Sequence, residues 1–330
     1  MIANNSTFAL SDTKDYETME MIQKPEIWRP DLLRLCKSYP NSTLYFDYPL
    51  SRETYFGIGG NASVYLEINQ VDLLTQIAKF KTDYGLDTFI LGRGSNLLVS
   101  DTGFRGIVIR LTGQLRQLTI ENDLVHTSAG ASQAKLAKSA ARHGLSGVEF
   151  ALGIPGSVGG GLIMNAGAWD SDFSQIVQNI RVVTNRGEIV DLTTQQAQFE
   201  YRKSKLDNFF CVIQAEFKLA YSDPRQVTKK MKDFYQKKTQ TQPFVSGNAG
   251  CMFKNPDGYS AGWLIDHCGL KGTKVGGAEI STMHANFIIN HGYATSRDVF
   301  KLIEVIQLAV KDKFGIDLQL EVKLLGFKGK

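Results

Sequence analysis

Cysteine is scarce in this chain: four in 330 residues, namely Cys36, Cys211, Cys251 and Cys268, scattered and without a C-x-x-C pair. That spacing excludes a zinc or thioredoxin-like motif, and four thiols in so long a chain make no disulfide framework. Apolar runs are short as well, and none approaches the ~18–20 residues that span a bilayer. Residues 1 to 24 are polar and lack the apolar core of a signal peptide, so a soluble, cytoplasmic chain is expected. The formal net charge is only +4, and charged residues make up 21%. Without a long Lys/Arg run, no nucleic-acid surface is expected. Both common nucleotide fingerprints are missing too. Gly92 and Gly94 have no third glycine to complete G-x-G-x-x-G, and no Walker A lysine motif occurs, which disfavours Rossmann and P-loop folds. No His/Cys/Asp grouping has metal-ligand spacing, so no metal is expected.

Hydrophobic residues make up 43% of the sequence, enough for a substantial core divided over two or three domains. Residues 26–39 are predicted as a helix turning Leu32, Leu33 and Leu35 inward. A strand over 64–68, a helix over 71–84 with Leu73, Leu74, Ile77 and Ala78 on one face, a stop at Gly85 and a strand over 88–91 form a β-α-β unit. A second block carries a strand at 124–128 and a helix from N-cap Ser132 to Arg142, with Gly144 at C′. It continues with a hairpin, 179–184 and 188–192, and a strand at 210–219. A third block holds amphipathic helices at 223–238 and 296–314, the latter closed by Gly315. An alternating strand at 318–324 follows, on which Gln319, Glu321 and Lys323 face away from the leucines. No internal repeat or low-complexity tract interrupts this order. The expected architecture is α+β: an extension over 1–40, then lobes at 41–113, 114–220 and 221–330.

Glycine is concentrated in three segments, at 56–62, 91–101 and 147–161, the last running on to Asn165 and Trp169. Glycine permits positive φ and close backbone approach, and successive amides in such a turn can point together and hold an anion. Each segment alone also reads as an ordinary tight turn. In their order they resemble a known family. Gly57, Gly59 and Gly60; Gly92, Arg93, Gly94, Ser95 and Asn96; Gly153, Ile154, Pro155, Gly156, Ser157, Gly159 and Gly160; and Asn165, Ala166 and Gly167 together resemble the UDP-N-acetylenolpyruvoylglucosamine reductases. The likeness covers roughly residues 43 to 327. It implies the FAD-binding fold of the vanillyl-alcohol oxidase and p-cresol methylhydroxylase type, with two lobes holding FAD and a C-terminal α+β lobe closing over a UDP-sugar. It further implies NADPH as hydride donor and UDP-N-acetylglucosamine enolpyruvate as substrate, in peptidoglycan synthesis.

Reduction of an enol ether bearing a carboxylate requires a cation at the carboxylate, a proton donor and anchors for a diphosphate. By resemblance, Arg202 belongs to the family's Tyr-Arg-x-Ser motif, Glu321 to its C-terminal Glu-Val motif, and Cys251 stands where a serine usually donates the proton. A guanidinium offers fixed planar donation and stays charged. An unperturbed thiol, with a pKa of about 8.5, is mostly protonated at neutral pH. Read without the motif, Glu321 belongs to a solvated strand face, and Cys251 to an inert buried thiol. The resemblance extends substrate contact to Tyr201, Gln242, Lys254, Asn255 and His267, although a lone histidine is more often structural and the family often has glutamine at position 267. The short segment from Arg202 to Cys251 suggests the subtype without an extra substrate-clamping loop. Two alternatives stand beside this: another flavin oxidoreductase on the same fold, and a non-catalytic module that binds flavin or a UDP-sugar.

Overall fold

The structure is a computed structural model that describes residues 27–244 and 247–327. Residues 1–26 of the expected extension over 1–40 lie outside the described residues. The chain divides after Pro40 into two compact units. In the first, the helix is Arg29–Lys37, shorter than expected, with a proline in its first turn, where the missing N–H costs nothing. Leu32 is buried but Leu33 is 39% exposed, a correction to the inward trio: adjacent residues sit ~100° apart around a helix and do not share a narrow face.

The second unit, from Asn41 onward, begins with a four-stranded sheet. Its order is Thr43–Pro49, Asn61–Ile68, Phe104–Leu111 and Thr88–Leu91. Asn61–Ile68 and Thr88–Leu91 both run parallel to Phe104–Leu111 between them. The Val71–Asp83 helix joins Asn61–Ile68 to Thr88–Leu91 and buries Leu73, Leu74, Ile77 and Ala78, as expected. Sequence patterning missed the central strand. Ile107, Val108 and Ile109 are all fully buried, so its signature is a continuous apolar run instead of an alternation.

An antiparallel five-stranded sheet follows, in the order Ile189–Thr193, Val177–Val183, Cys211–Lys218, Leu124–Ser128 and Leu118–Glu121. Ser132 caps the Gln133–Arg142 helix by accepting from the Lys135 amide, and Gly144 has φ 67°. Asp223 caps the long Pro224–Thr241 helix. That helix packs on the Gln133–Arg142 helix and on the Glu149–Gly153 turn, where Lys230 pairs with the buried Glu149 at 3.4 Å.

The last region is built around the Ser296–Phe314 helix, whose Val299, Leu302 and Ile306 share a core with Leu264, Ile280 and Ile288. Thr295 and Asp298 form its capping box. Asp101 adds a second cap from the far side of the chain, accepting from the amides of Ser296 and Arg297 at 2.9 and 3.3 Å. The expected strand at 318–324 needs correction, since only Lys323–Leu325 is a strand, parallel to Leu97–Val99. Residues 319–321 bond instead to the loop after Cys251, through Lys254 N to Gln319 O and Glu321 N to Met252 O, both 2.9 Å. The segment changes partner midway, so no single ladder runs its length.

Candidate active site

Two of the three glycine segments meet at a cavity of about 380 Å³. Gly92 and Arg93 line one side, Ser157, Gly159 and Gly160 another. A Cβ on Gly92 would stand 2.5 Å from the Ser157 hydroxyl, and one on Gly159 3.0 Å from Ala129 Cβ, so only glycine allows these walls to close this far. Ser157 accepts from the Gly160 amide and caps the short Val158–Ile163 helix, while the Ser95 hydroxyl donates to the Pro155 carbonyl. Arg93, Arg110, Arg116 and Lys135 bring four cations to the same cavity. Arg110 pairs with Glu53; burial, then the charge of Arg116, pulls its pKa down. Beneath the glycines, buried Gln133 donates to the Ser157 carbonyl at 3.2 Å, and its Oε1 is left without a donor. A glycine-walled groove lined by four cations fits a long anionic cofactor carrying a diphosphate.

The first glycine segment lies elsewhere. Gly57, Gly59 and Gly60 do not line this cavity. Gly59, at φ 137°, would set a Cβ 2.6 Å from Val99 Cβ, so its smallness serves close packing. Gly94 likewise has φ 64° and no room for a side chain against the Glu53 carbonyl. Gly153, Ile154, Pro155 and Gly156 form the turn that feeds the Ser157 cap. Asn165, Ala166 and Gly167 do something further. Asn165 is buried; its Nδ2 donates to Glu200 O at 3.1 Å and its Oδ1 accepts from Ser174 N at 3.0 Å. Gly167 offers its carbonyl to Arg202 Nη2 at 2.8 Å.

Arg202 sits at the tip of a tight turn closed by backbone bonds between Glu200 and Lys203, with φ 56°. A non-glycine residue in that region is strained, and such strain gathers at functional sites. Ser204 of the same motif is buried and donates to the Ile163 carbonyl at 3.0 Å, tying the turn to the end of the glycine-rich helix. The guanidinium lies over the Tyr201 ring at 4.9 Å, and its Nε meets Glu321 Oε1 at 3.2 Å. Glu321 is therefore not on a solvated face. Asn96 holds it by donating to its carbonyl at 3.0 Å, across a gap of 225 positions in the chain. Burial pushes the Glu321 carboxyl up, and the attraction of Arg202, Lys254 and Lys238 only partly offsets this.

Cys251 shares this electrostatic neighbourhood. Its thiol is pushed up to about 12, first by burial and then by Glu321, against the opposing pull of Lys238 and Arg202. The expectation of an ordinary thiol is revised accordingly. Its loop is held by buried Asn286, which bonds both sides of the Phe253 backbone at 2.8 and 2.9 Å. Sequence reasoning missed Lys238. Burial draws its ammonium pKa down, with Cys251, Arg202 and Glu321 as the charges that act on it. A signal was present: Lys238 follows the buried Val227 and Met231 at helical spacing, and a lysine on the inward stripe of a helix needs a reason.

A second cavity, of about 150 Å³, adjoins the pair and is lined by Arg202, Lys203, Lys254, Glu321 and Lys323, among others. Lys254 is thus brought to the site. Tyr201 is 53% exposed and flanks it through Arg202. The remaining expected contacts go elsewhere. Asn255 Oδ1 accepts from the Ala261 amide at 3.0 Å and so starts the Ala261–His267 helix. At the far end of that helix, His267 bonds the Trp263 carbonyl and stacks on the Trp263 ring at 3.7 Å. Gln242 terminates the Pro224–Thr241 helix through its amide. None of the three lines either cavity. Among the described residues, no group of His, Cys, Asp and Glu could hold a metal ion, and no helix is long and apolar enough to cross a membrane.

Residues 62–193 match the family profile described as an FAD binding domain, and residues 242–325 that of the C-terminal domain of UDP-N-acetylenolpyruvoylglucosamine reductase. The reductase of that name from Caldanaerobacter subterraneus subsp. tengcongensis is 41% identical over 286 residues, 86% of this chain and 94% of the relative. The one from Bacillus subtilis is 41% identical over 281 residues, 84% and 92% respectively. The crystal structure of the reductase from Thermus caldophilus superposes with a TM-score of 0.74 at 34% identity, covering 86% of this chain and 99% of that one.

Proposed function

The chain belongs to the UDP-N-acetylenolpyruvoylglucosamine reductase family, and from that premise we propose how its own residues carry the reaction. The enzyme reduces UDP-N-acetylglucosamine enolpyruvate to UDP-N-acetylmuramate with NADPH and FAD, a step of peptidoglycan synthesis. Its setting in this reading is the cytoplasm, where NADPH and UDP-sugars are made. Lobes 41–113 and 114–220 hold FAD in the 380 Å³ groove, with Gly92, Arg93, Ser157, Gly159 and Gly160 at its walls and the four cations toward its diphosphate. Lobe 221–330 closes over the sugar. When bound, FAD supplies the two-electron step, taking hydride equivalents from NADPH for delivery to the enolpyruvyl double bond.

Arg202 spends one N–H on Gly167 and its Nε on Glu321, which leaves donors on Nη1 and Nη2 for the substrate carboxylate. As the terminal carbon gains hydride, negative charge moves onto the neighbouring carbon and that carboxylate. The fixed guanidinium is positioned to stabilise that charge without reorganising. Cys251 transfers its proton to the neighbouring carbon, completing saturation, and Lys238 stabilises the thiolate left behind. Glu321, its pKa raised by burial, orients Arg202 and polarises the developing charge. Lys254 and Tyr201 bind the rest of the substrate beside the smaller cavity.

The observation that supports this most is convergence. Arg202, Cys251, Glu321 and Lys238 come from four separate segments and act on one another's charge. The test follows NADPH oxidation by FAD-loaded protein with and without the enolpyruvyl UDP-sugar. Consumption that depends on the sugar and yields UDP-N-acetylmuramate is expected. Consumption without the sugar would mark another flavin oxidoreductase, and tight binding without turnover a silent binding module.

A further inference from the structure

Trp169 occupies a position that its backbone disfavours. It and Asp170 form the two-residue turn between the paired strands Gly167–Ala168 and Ser171–Asp172, and both have φ 58°. Turns with two positive φ values select Asn-Gly or Asp-Gly pairs, because an L side chain in the left-handed region crowds its own carbonyl. An indole is an unfavourable choice there, and strain of this kind points to a use. Packing accounts for only part of it: Trp169 stacks on Phe234, centroids 5.6 Å apart and planes 23° from parallel, yet stays 42% exposed. Lys237 Nζ lies 5.9 Å from its ring centre. The hairpin also adjoins the chemistry at both ends. Its Gly167 carbonyl accepts from Arg202, and Lys238, next to Lys237, belongs to the charge cluster around Cys251.

We propose that Trp169 is a nucleotide-stacking residue of this site, its free surface taking a base while Lys237 meets the adjoining diphosphate. The assignment rests on the function given above, which brings two such ligands to the site: the uridine nucleotide of the sugar and the nicotinamide nucleotide. An aromatic shelf beside a lysine suits the shared chemistry of both, a flat base next to a diphosphate.

The test uses FAD-loaded Trp169→Asn and Trp169→Tyr enzymes, with the KM for NADPH and for the UDP-sugar measured separately. Thermal midpoints and tryptophan quenching by UDP and by NADP⁺ complete it. The Asn variant should raise KM for at least one nucleotide by roughly 5- to 150-fold, the span of base–aromatic stacking. Tyr should recover most of the loss. The midpoint of the Asn variant should stay level or rise, because Asn tolerates positive φ. A rise confined to the sugar assigns uracil, and one confined to NADPH assigns the nicotinamide nucleotide. Unchanged KM for both, or a lowered midpoint with unchanged KM, would reduce Trp169 to packing and overturn the proposal. Should wild-type enzyme itself fail to turn over the sugar, the functional assignment falls. Quenching by UDP or NADP⁺ that is present in wild type and lost in the Tyr variant's difference signal still decides on Trp169.

Discussion

The half-buried thiol of Cys251 makes a quantitative prediction. Its pKa is pushed up to about 12, whereas an unperturbed thiol sits near 8.5. At pH 8 the ordinary thiol is about one-quarter ionised and that of Cys251 roughly one part in 10⁴, a difference on the order of 10³-fold in reactive thiolate. Iodoacetamide labelling of the FAD-loaded enzyme, quantified by peptide mass spectrometry, should therefore modify Cys251 about 10³ times more slowly than a free cysteine peptide. The sign carries over to catalysis. A raised pKa keeps the acid form present through neutral pH and loses it only as pH climbs toward the folded value, so the rate profile should show no thiol limb between pH 6 and 9. Cys251→Ala should retain NADPH-driven flavin reduction while slowing product formation by roughly 10²–10⁴-fold, the usual worth of a positioned acid. Cys251→Ser should recover most of that loss. Labelling at the free-cysteine rate, or an alkaline limb near pH 8.5 that vanishes in the serine variant, would refute the account of burial.

Gly92→Ala would press a methyl against the Ser157 hydroxyl, 2.5 Å away; FAD affinity, measured by flavin fluorescence on reconstitution, should fall about tenfold or more. Asn286→Ala strands the buried Phe253 amide and carbonyl, which Asn286 now satisfies. At about 1–3 kcal/mol each, the loss is about 2–6 kcal/mol, a drop of roughly 3–10 °C by calorimetry. Cys211 is 3% exposed, and burial raises its thiol to about 12. Its neutral form favours the fold fully below the unfolded pKa, so stability should decline by about 1.4 kcal/mol per pH unit above roughly pH 8.5. Cys211→Ala should remove that share of the decline in denaturant titrations at pH 8 to 10 and leave the share of Cys251, whose thiol is raised likewise.

The helices at Val71–Asp83, Gln133–Arg142 and Ser296–Phe314 were legible because their causes are local. Apolar residues recur within one turn, Ser132 caps its own helix, and Gly85, Gly144 and Gly315 stop three of them at positive φ. Motif residues were legible for a related reason: Arg202, Cys251 and Glu321 lie in short runs whose order survives in the sequence. Other features were not. Phe104–Leu111 has no alternation because it is covered on both faces. Glu321 looked solvated because its partner is 119 positions away, and Asn255 and His267 looked available because the helix that uses them for its own ends is short.

By itself, the sequence determined the helices at Val71–Asp83, Gln133–Arg142 and Ser296–Phe314, the glycine-rich turns and the α+β class, since backbone sterics and side-chain periodicity act over a few neighbours. Tertiary structure alone decided that Asn96 would hold the Glu321 carbonyl, that Lys238 would reach Cys251, and that Gly59 would serve packing while Gly92 walls a groove. It also decided which cations face that groove and how far the Cys251 and Glu321 protons are held from their ordinary pKa. Those properties depend on which distant segments meet and how much water they exclude, and both are set only when the whole core packs.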